Sequence, residues 1–400
     1  MNEQPIQLRA VSVRMIPDMM LDSKFLIHLG AALPLCMLAL TLSGCAGDNT
    51  DSTSVPATLE TTEILGESGT QLGQFVYPRG MDIYHSIATG QVQAVIVDKT
   101  ARLQVLDLST GKVLGSVHTP KWDRGKPTGI TVAASVLDAS KQAVYVADTH
   151  EHRVLMYELP LPDVDVPVPT EPDFAFGSFG ENPAEFIYPT DVAINTDDNG
   201  VVTDLYVSEY GGNDRISRFS IDRSGETITP IYQYQIGVVG EEVDASDFPN
   251  ALARPQSIAL WTTPQGVEEL IVTDASHHRV GRFTIEGELV KWFGDPMDTT
   301  ELAYRFPYGL TILDDGTALI AEFGGNRVRC MNLESGETLW RYGVGGRSTG
   351  QLAQPWAVGV NGDQLVILDS GNSRIQICEL PKGITRIGAQ YARAHGGSNP

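Results

Sequence analysis

Six prolines, at positions 78, 127, 189, 255, 307 and 355, each open a segment with apolar residues three and five places later, from Met81 and Ile83 in the first to Val358 and Val360 in the last. Apolar positions two apart predict a strand with one face toward a core. Some fifteen to twenty residues further on, each repeat has a second β-prone run that closes on an acid: Asp98, Asp148, Glu209, Asp274, Glu322 and Asp369. Four to six residues beyond the acid stands an arginine followed by an aliphatic residue: Arg102, Arg153, Arg215, Arg279, Arg327 and Arg374. That spacing predicts a hairpin running into a third strand. A fourth run ends in an apolar residue and a glycine in repeats two to five, at Gly180, Gly237, Gly294 and Gly343.

Four short antiparallel strands repeated six times, with no helical pattern between them, predict an all-β fold, a six-bladed β-propeller of four-stranded antiparallel blades. The repeat resembles the NHL repeat, most clearly in YPRGMDI with VIVD, in KPTGITV with YVADTHEHRV, and in QPWAVGV with VILDSGNSRIQI. The resemblance spans residues 61–388 and implies the same propeller. Asp191, Ser257 and Ala357 depart from the glycine two places after proline, and Glu209 and Glu322 from the aspartate. TEILG at 62–66 and TRIG at 385–388 both read as a fourth strand able to complete blade six. A feature found in every blade is scaffold first. The six acid–arginine pairs therefore read as structural locks, each carboxylate accepting from its arginine or from turn N–H groups. The proline-rich stretch 159–172 predicts an extended loop between strands three and four of blade two, and 238–252 lengthens the loop ahead of blade four.

The first 45 residues follow a different rule. Lys24 precedes the apolar run Phe25–Leu42, which ends in Leu42, Ser43, Gly44 and Cys45. This resembles the signal peptide and lipobox of bacterial lipoproteins, which implies removal of residues 1–44 and lipidation of Cys45. A membrane-spanning anchor needs ~18 apolar residues, so length alone leaves that alternative open, and the LSGC step favours the lipobox. A flexible tether at 45–60, the propeller at 61–388 and a disordered tail at 389–400 complete the expected plan. Ala46 follows the cysteine where an aspartate would resemble an inner-membrane retention signal, so an extracytoplasmic protein on the outer membrane or cell surface is expected.

Composition agrees with a folded, turn-rich chain: 40 glycines, 23 prolines and 42% hydrophobic residues. The net charge of −22 survives processing, because residues 1–44 hold three bases and three acids. With no cluster of bases among aromatics, nucleic acid is not an expected partner. The mature chain keeps Cys330 and Cys378. An oxidising compartment allows a disulfide, yet opposite strand parity favours two packed thiols.

No G-x-S-x-G elbow, P-loop or H-E-x-x-H stretch is present. Peptide-amidating lyases among NHL-like propellers carry zinc-binding histidines where the inner strands begin. Here the corresponding positions are Arg79, Thr128, Thr190, Gln256, Tyr308 and Trp356, none a histidine. His152 and His278, each just before a repeat arginine, read as turn residues. Where the blades differ is more informative. Arg79, Tyr308 and Trp356 come from blades one, five and six, consecutive once the ring closes, and Tyr77, Arg305 and Arg347 lie nearby. Tryptophan, tyrosine and arginine dominate recognition surfaces, so a protein, peptide or carbohydrate ligand on the channel-mouth face is expected, with no cofactor. The competing class is a lactonase-like hydrolase or lyase with a central calcium or zinc, for which Asp82 and Asp191 are the weak candidate ligands.

The lipobox reading makes a direct prediction. Mass spectrometry of the N-terminal peptide from membranes should find acylated Cys45, and an unmodified chain still carrying Phe25–Leu42 would refute lipidation.

Overall fold

The computed structural model describes residues 59–163, 169–237 and 250–380, so the signal peptide, Cys45 and the tail lie outside the described residues. Within them the alternating runs become six four-stranded antiparallel sheets in a ring, as the repeats predict. Blade one is typical: inner strand Pro78–His85, then Val92–Asp98, Arg102–Asp107 and outer strand Val113–His118. Apart from two 3-10 turns, Thr149–Glu151 and Ser370–Asn372, no helix interrupts the described blades.

Strands with two apolar faces cannot be solvated on either, so each blade packs against the next. Six buried hydrophobic clusters result, one at each junction between neighbouring blades. The cluster between blades six and one, with Ile377, Val366, Ile83 and Ala94, closes the circle. The N-terminal run decides the ambiguity over blade six: Thr61–Leu65 pairs antiparallel with Arg374–Glu379 as its outer strand. TRIG at 385–388 lies outside the described residues. Cys330 and Cys378 are free, buried thiols, and the Cys378 thiol donates to Tyr342 Oη at 3.5 Å.

One strand is misplaced by the sequence pattern. Blade two's outer strand is Phe174–Phe176 followed by Gly177, and Gly180 falls in the next loop. The position after the outer strand needs a left-handed residue, and Gly177 has φ +98° with Phe186 so close that a Cβ would come within 2.5 Å of its ring. FAFG and SFG share the same apolar-glycine signature three residues apart, and only this turn separates them. Residues 159–163 and 169–172 of the proline-rich stretch lie between strands three and four of blade two, while 164–168 and residues 238–249 of the other insertion lie outside the described residues.

Strand register explains the acid and the arginine. In blades two to six the two stand directly opposite across the second and third strands, as in Asp274 with Arg279. All six pairs are in contact, at 2.6 to 2.9 Å, and the acids are 0 to 1% exposed. Each pair does more than close its own hairpin. The arginines also donate to carbonyls of the loop arriving from the previous blade: Thr70, Gln71 and Gln74 for Arg102, Ala251 for Arg279, Gln351 for Arg374. In five blades the acid accepts an N–H just ahead of the repeat proline, from Val76, Ile187, Ala253, Arg305 or Ala353. Blade two lacks that bond: Asp148 keeps one buried oxygen without a partner, and burial pushes its carboxyl up to about 6.

A second set of links joins consecutive blades. The residue before the repeat arginine is left-handed at Ala101, His152, His278, Asn326 and Ser373, with φ between +49° and +59°. His278 Nδ1 accepts the N–H of Phe306 at 3.1 Å, Asn326 Oδ1 that of Gln354 at 2.8 Å, and Ser373 Oγ that of Tyr77 at 3.3 Å. The two histidines are therefore turn residues that reach the following blade, His152 through the carbonyl of Ile187.

Removing one partner of a buried pair strands the other charge. Arg279→Ala leaves Asp274, at 0% exposure, without its guanidinium. We expect a loss of ~3 kcal/mol or more in urea unfolding. Lys141→Ala, which breaks an ion pair with a half-exposed lysine, should leave the midpoint in place.

Candidate functional site

The prolines and the repeat acids lie at the same end of the ring, so the residues flanking them surround the mouth of the central channel. That channel is a cavity of about 260 Å³ whose lining includes Arg79, Gln256, Tyr308 and Trp356 together with Asp82 and Asp191. In blades two and three the first inner-strand positions are used up in the wall. Thr128 Oγ1 donates to the carbonyl of Thr190 at 3.0 Å, and Thr190 Oγ1 to that of Pro255 at 2.6 Å. The other blades offer larger side chains.

Tyr308 and Trp356 meet edge to face with ring centroids 4.9 Å apart, Phe323 stacks on Tyr308 at 4.5 Å, and Tyr77 stands against Trp356 at 6.0 Å. Tyr308 is 3% exposed and Trp356 8%, so these rings pack on one another and form a floor rather than projecting knobs. Tyr77 is fixed by its hydroxyl, which donates to Gln354 Oε1 at 2.8 Å, and burial pushes that phenol up to about 12.

Above this floor lie two guanidinium groups. Arg79 Cζ is 5.5 Å from the Trp356 ring and 6.0 Å from Tyr77. Arg254 Cζ is 4.7 Å from Tyr210 and 5.3 Å from Tyr308, and its Nε donates to Gln256 Oε1 at 3.1 Å. Neither has a carboxylate partner among the described residues, in contrast to every repeat arginine. Arg79 Nε is buried without an acceptor. Burial, with the nearby charge of Arg254 acting in the same direction, holds the Arg79 guanidinium below its ordinary pKa.

The structure thus brings Arg79, Tyr308 and Trp356 together and leaves the other two arginines elsewhere. Arg305 turns back on its own loop, donating to the carbonyls of Asp298 at 3.0 Å and Thr300 at 2.9 Å. Arg347 is exposed on the loop ahead of blade six. Three members of the mouth escape the sequence pattern: Arg254, directly before a repeat proline, and Tyr210 and Phe323, directly after repeat acids. Their signal is positional, since the residues after the acids differ from blade to blade: Lys99, Thr149, Tyr210, Ala275, Phe323 and Ser370.

Asp82 and Asp191 face the channel but serve the ring. Asp82 accepts the N–H of Val132 in the next blade at 2.7 Å, and Asp191 accepts Ser257 Oγ at 2.6 Å and the N–H of Ile258 at 3.1 Å. Thr131 and Thr311 make the matching links in blades two and five by donating to the carbonyls of Val192 and Val358. Burial, the largest influence on Asp191, pushes its carboxyl up to about 7 against those donors. Among the described residues no three histidine, cysteine, aspartate or glutamate side chains come together as a metal cluster.

The fold and the repeat define the class: a six-bladed β-propeller with an NHL repeat, matched over residues 352–378 in blade six. No curated protein matches the chain in sequence. Among solved structures it is similar to a structural genomics protein of unknown function from Bacteroides thetaiotaomicron VPI-5482, at 18% identity and TM-score 0.53 over 80% of this chain and 75% of that one. It is also similar to a streptogramin B lyase, at 19% identity and TM-score 0.43 over 84% and 92% of the two chains. Virginiamycin B lyase from Staphylococcus aureus is a third, at 16% identity and TM-score 0.44 over 78% and 98%. At these identities the likeness concerns the fold alone.

A half-buried guanidinium without a counter-charge does not stabilise its surroundings. Arg79→Met should therefore leave the melting temperature unchanged or raise it, whereas Arg374→Met, which strands the buried Asp369, should lower stability by ~3 kcal/mol. Equal losses in both would show that Arg79 is scaffold.

Proposed function

We propose that this protein is a lipid-anchored, extracytoplasmic binding propeller that receives a protein, peptide or carbohydrate ligand on its channel-mouth face. The observation that carries the reading is the pair of arginines without carboxylates, set over a floor of packed aromatic rings. Residues that repeat in every blade are spent on holding the ring, while Arg79, Arg254, Tyr308, Phe323 and Trp356 do not repeat and converge at one place. Rings supply flat apolar area and guanidinium groups supply directed donors, which is the composition of recognition surfaces.

The rim supports docking of something larger than the cavity. Loops leading into the inner strands carry exposed apolar side chains, Phe179 at 69%, Phe306 at 40% and Val344 at 63%. Such groups, gathered on one face, suit a partner that covers them. The membrane anchor in this reading is Cys45, by the lipobox resemblance. Among the described residues no helix is long and apolar enough to cross a membrane. A hydrolase or lyase with a central metal would draw on Asp82 and Asp191, and their commitment to amides of the neighbouring inner strands favours the binding reading.

The test is capture of partners from detergent-solubilised membranes by the tagged protein, followed by crosslinking and mass spectrometry. An Arg79→Ala, Arg254→Ala double variant should retain less than about a tenth of the specific capture, since each anchor is worth ~1 kcal/mol or more. Lys112→Ala, an exposed change remote from the mouth, should capture as the wild type does. Equal capture by all three proteins would overturn the reading.

A further inference from the structure

Resting on the binding reading and narrowing it, we propose that the channel mouth recognises a single oxyanion, a carboxylate or a phosphate, carried on a flat uncharged body, with Arg79 and Arg254 as its counter-charges. The chain shows elsewhere what it does with buried guanidinium groups. At each of the six repeat arginines it places a carboxylate at 2.6 to 2.9 Å, and it does the same for Arg218 with Asp204 and Arg282 with Glu269. With 50 acids against 28 bases, carboxylates are abundant. Yet none of the described ones pairs with the guanidinium of Arg79 or Arg254, and Asp214 accepts only the backbone N–H of Arg254.

The two groups share one aromatic pair. Arg79 lies 5.5 Å from the Trp356 ring and Arg254 5.3 Å from the Tyr308 ring, and those rings are 4.9 Å apart. A group with two or three acceptor oxygens placed there gains donors from both sides and fills the buried, unpartnered Nε of Arg79. The rings below favour a planar apolar body over a long flexible one. Asp82 lines the same cavity, and a carboxylate there repels a second negative charge. At about 260 Å³ the cavity suits a ring-sized compound or the tip of a larger ligand.

Isothermal titration at low salt tests this with four probes: benzoate, phenyl phosphate, the neutral benzamide, and the dianion terephthalate. One of the two phenyl anions should bind at least about tenfold more tightly than benzamide. Benzoate ahead of phenyl phosphate assigns a carboxylate, and the reverse order assigns a phosphate. Arg79→Met and Arg254→Met should each weaken the preferred anion about fivefold or more, while changing benzamide by less than about twofold. Benzamide binding as tightly as both anions, or no anion binding at millimolar concentration, overturns the oxyanion. Terephthalate matching benzoate overturns the single charge. These failures leave the binding reading standing, because it is judged by membrane capture; loss of capture contrast in the double variant removes the reading itself.

Discussion

A carboxylate with no solvent contact, at the end of every second strand, must find donors, and in this ring it takes them from two directions. The arginine opposite it in the sheet supplies one, and in five blades an N–H ahead of the repeat proline supplies another. The same arginine then satisfies carbonyls of the loop that arrives from the previous blade. The hairpin and the loop ahead of the inner strand are thereby held at one point, and the inner strand starts at a defined height beside the axis. Without this pairing a buried acid would be costly and the loop above it would have no fixed course.

Everything at the channel mouth inherits its position from those locks. The polar residue before the repeat arginine in blades two to six, His152, Asp214, His278, Asn326 or Ser373, reaches into the following blade, so the height of one mouth loop sets that of the next. Apolar clusters between the blades resist sliding, and the N-terminal strand fastens the last blade to the first. A scaffold this well satisfied leaves a few side chains free of structural duty. Those side chains sit where six blades converge, so three or four blades can present groups to one small volume. Arg79 and Arg254 stand out there because the rule that governs every repeat arginine is suspended for them.

Much of the fold was legible from particular residues. Prolines followed by alternating apolar positions mark the inner strands, and the acid-to-arginine spacing marks the second hairpin, because both features come from local geometry. Blade two's outer strand was read three residues late, since FAFG and SFG differ only in the turn that follows, which packing against Phe186 decides. TEILG and TRIG could not be separated by pattern, because strand pairing with Arg374–Glu379 is a long-range event. At the mouth, Arg79, Tyr308 and Trp356 were legible as departures from the repeat. Their burial was not, because it arises from the rings packing on each other. Arg254 and Arg305 look alike in sequence, each one or two places before a repeat proline, yet one guanidinium leans over Tyr308 and Tyr210 while the other folds back on its own carbonyls.

The central claim is that the repeat arginines are electrostatically satisfied and the mouth arginines are not. Anomalous diffraction from crystals soaked in bromide tests both halves at once, because a halide settles where positive charge lacks a partner. The account predicts a bromide peak at the channel mouth, within contact of Arg79 and Arg254, and no peak at the six acid–arginine pairs. Bromide at those pairs, with none at the mouth, would contradict it.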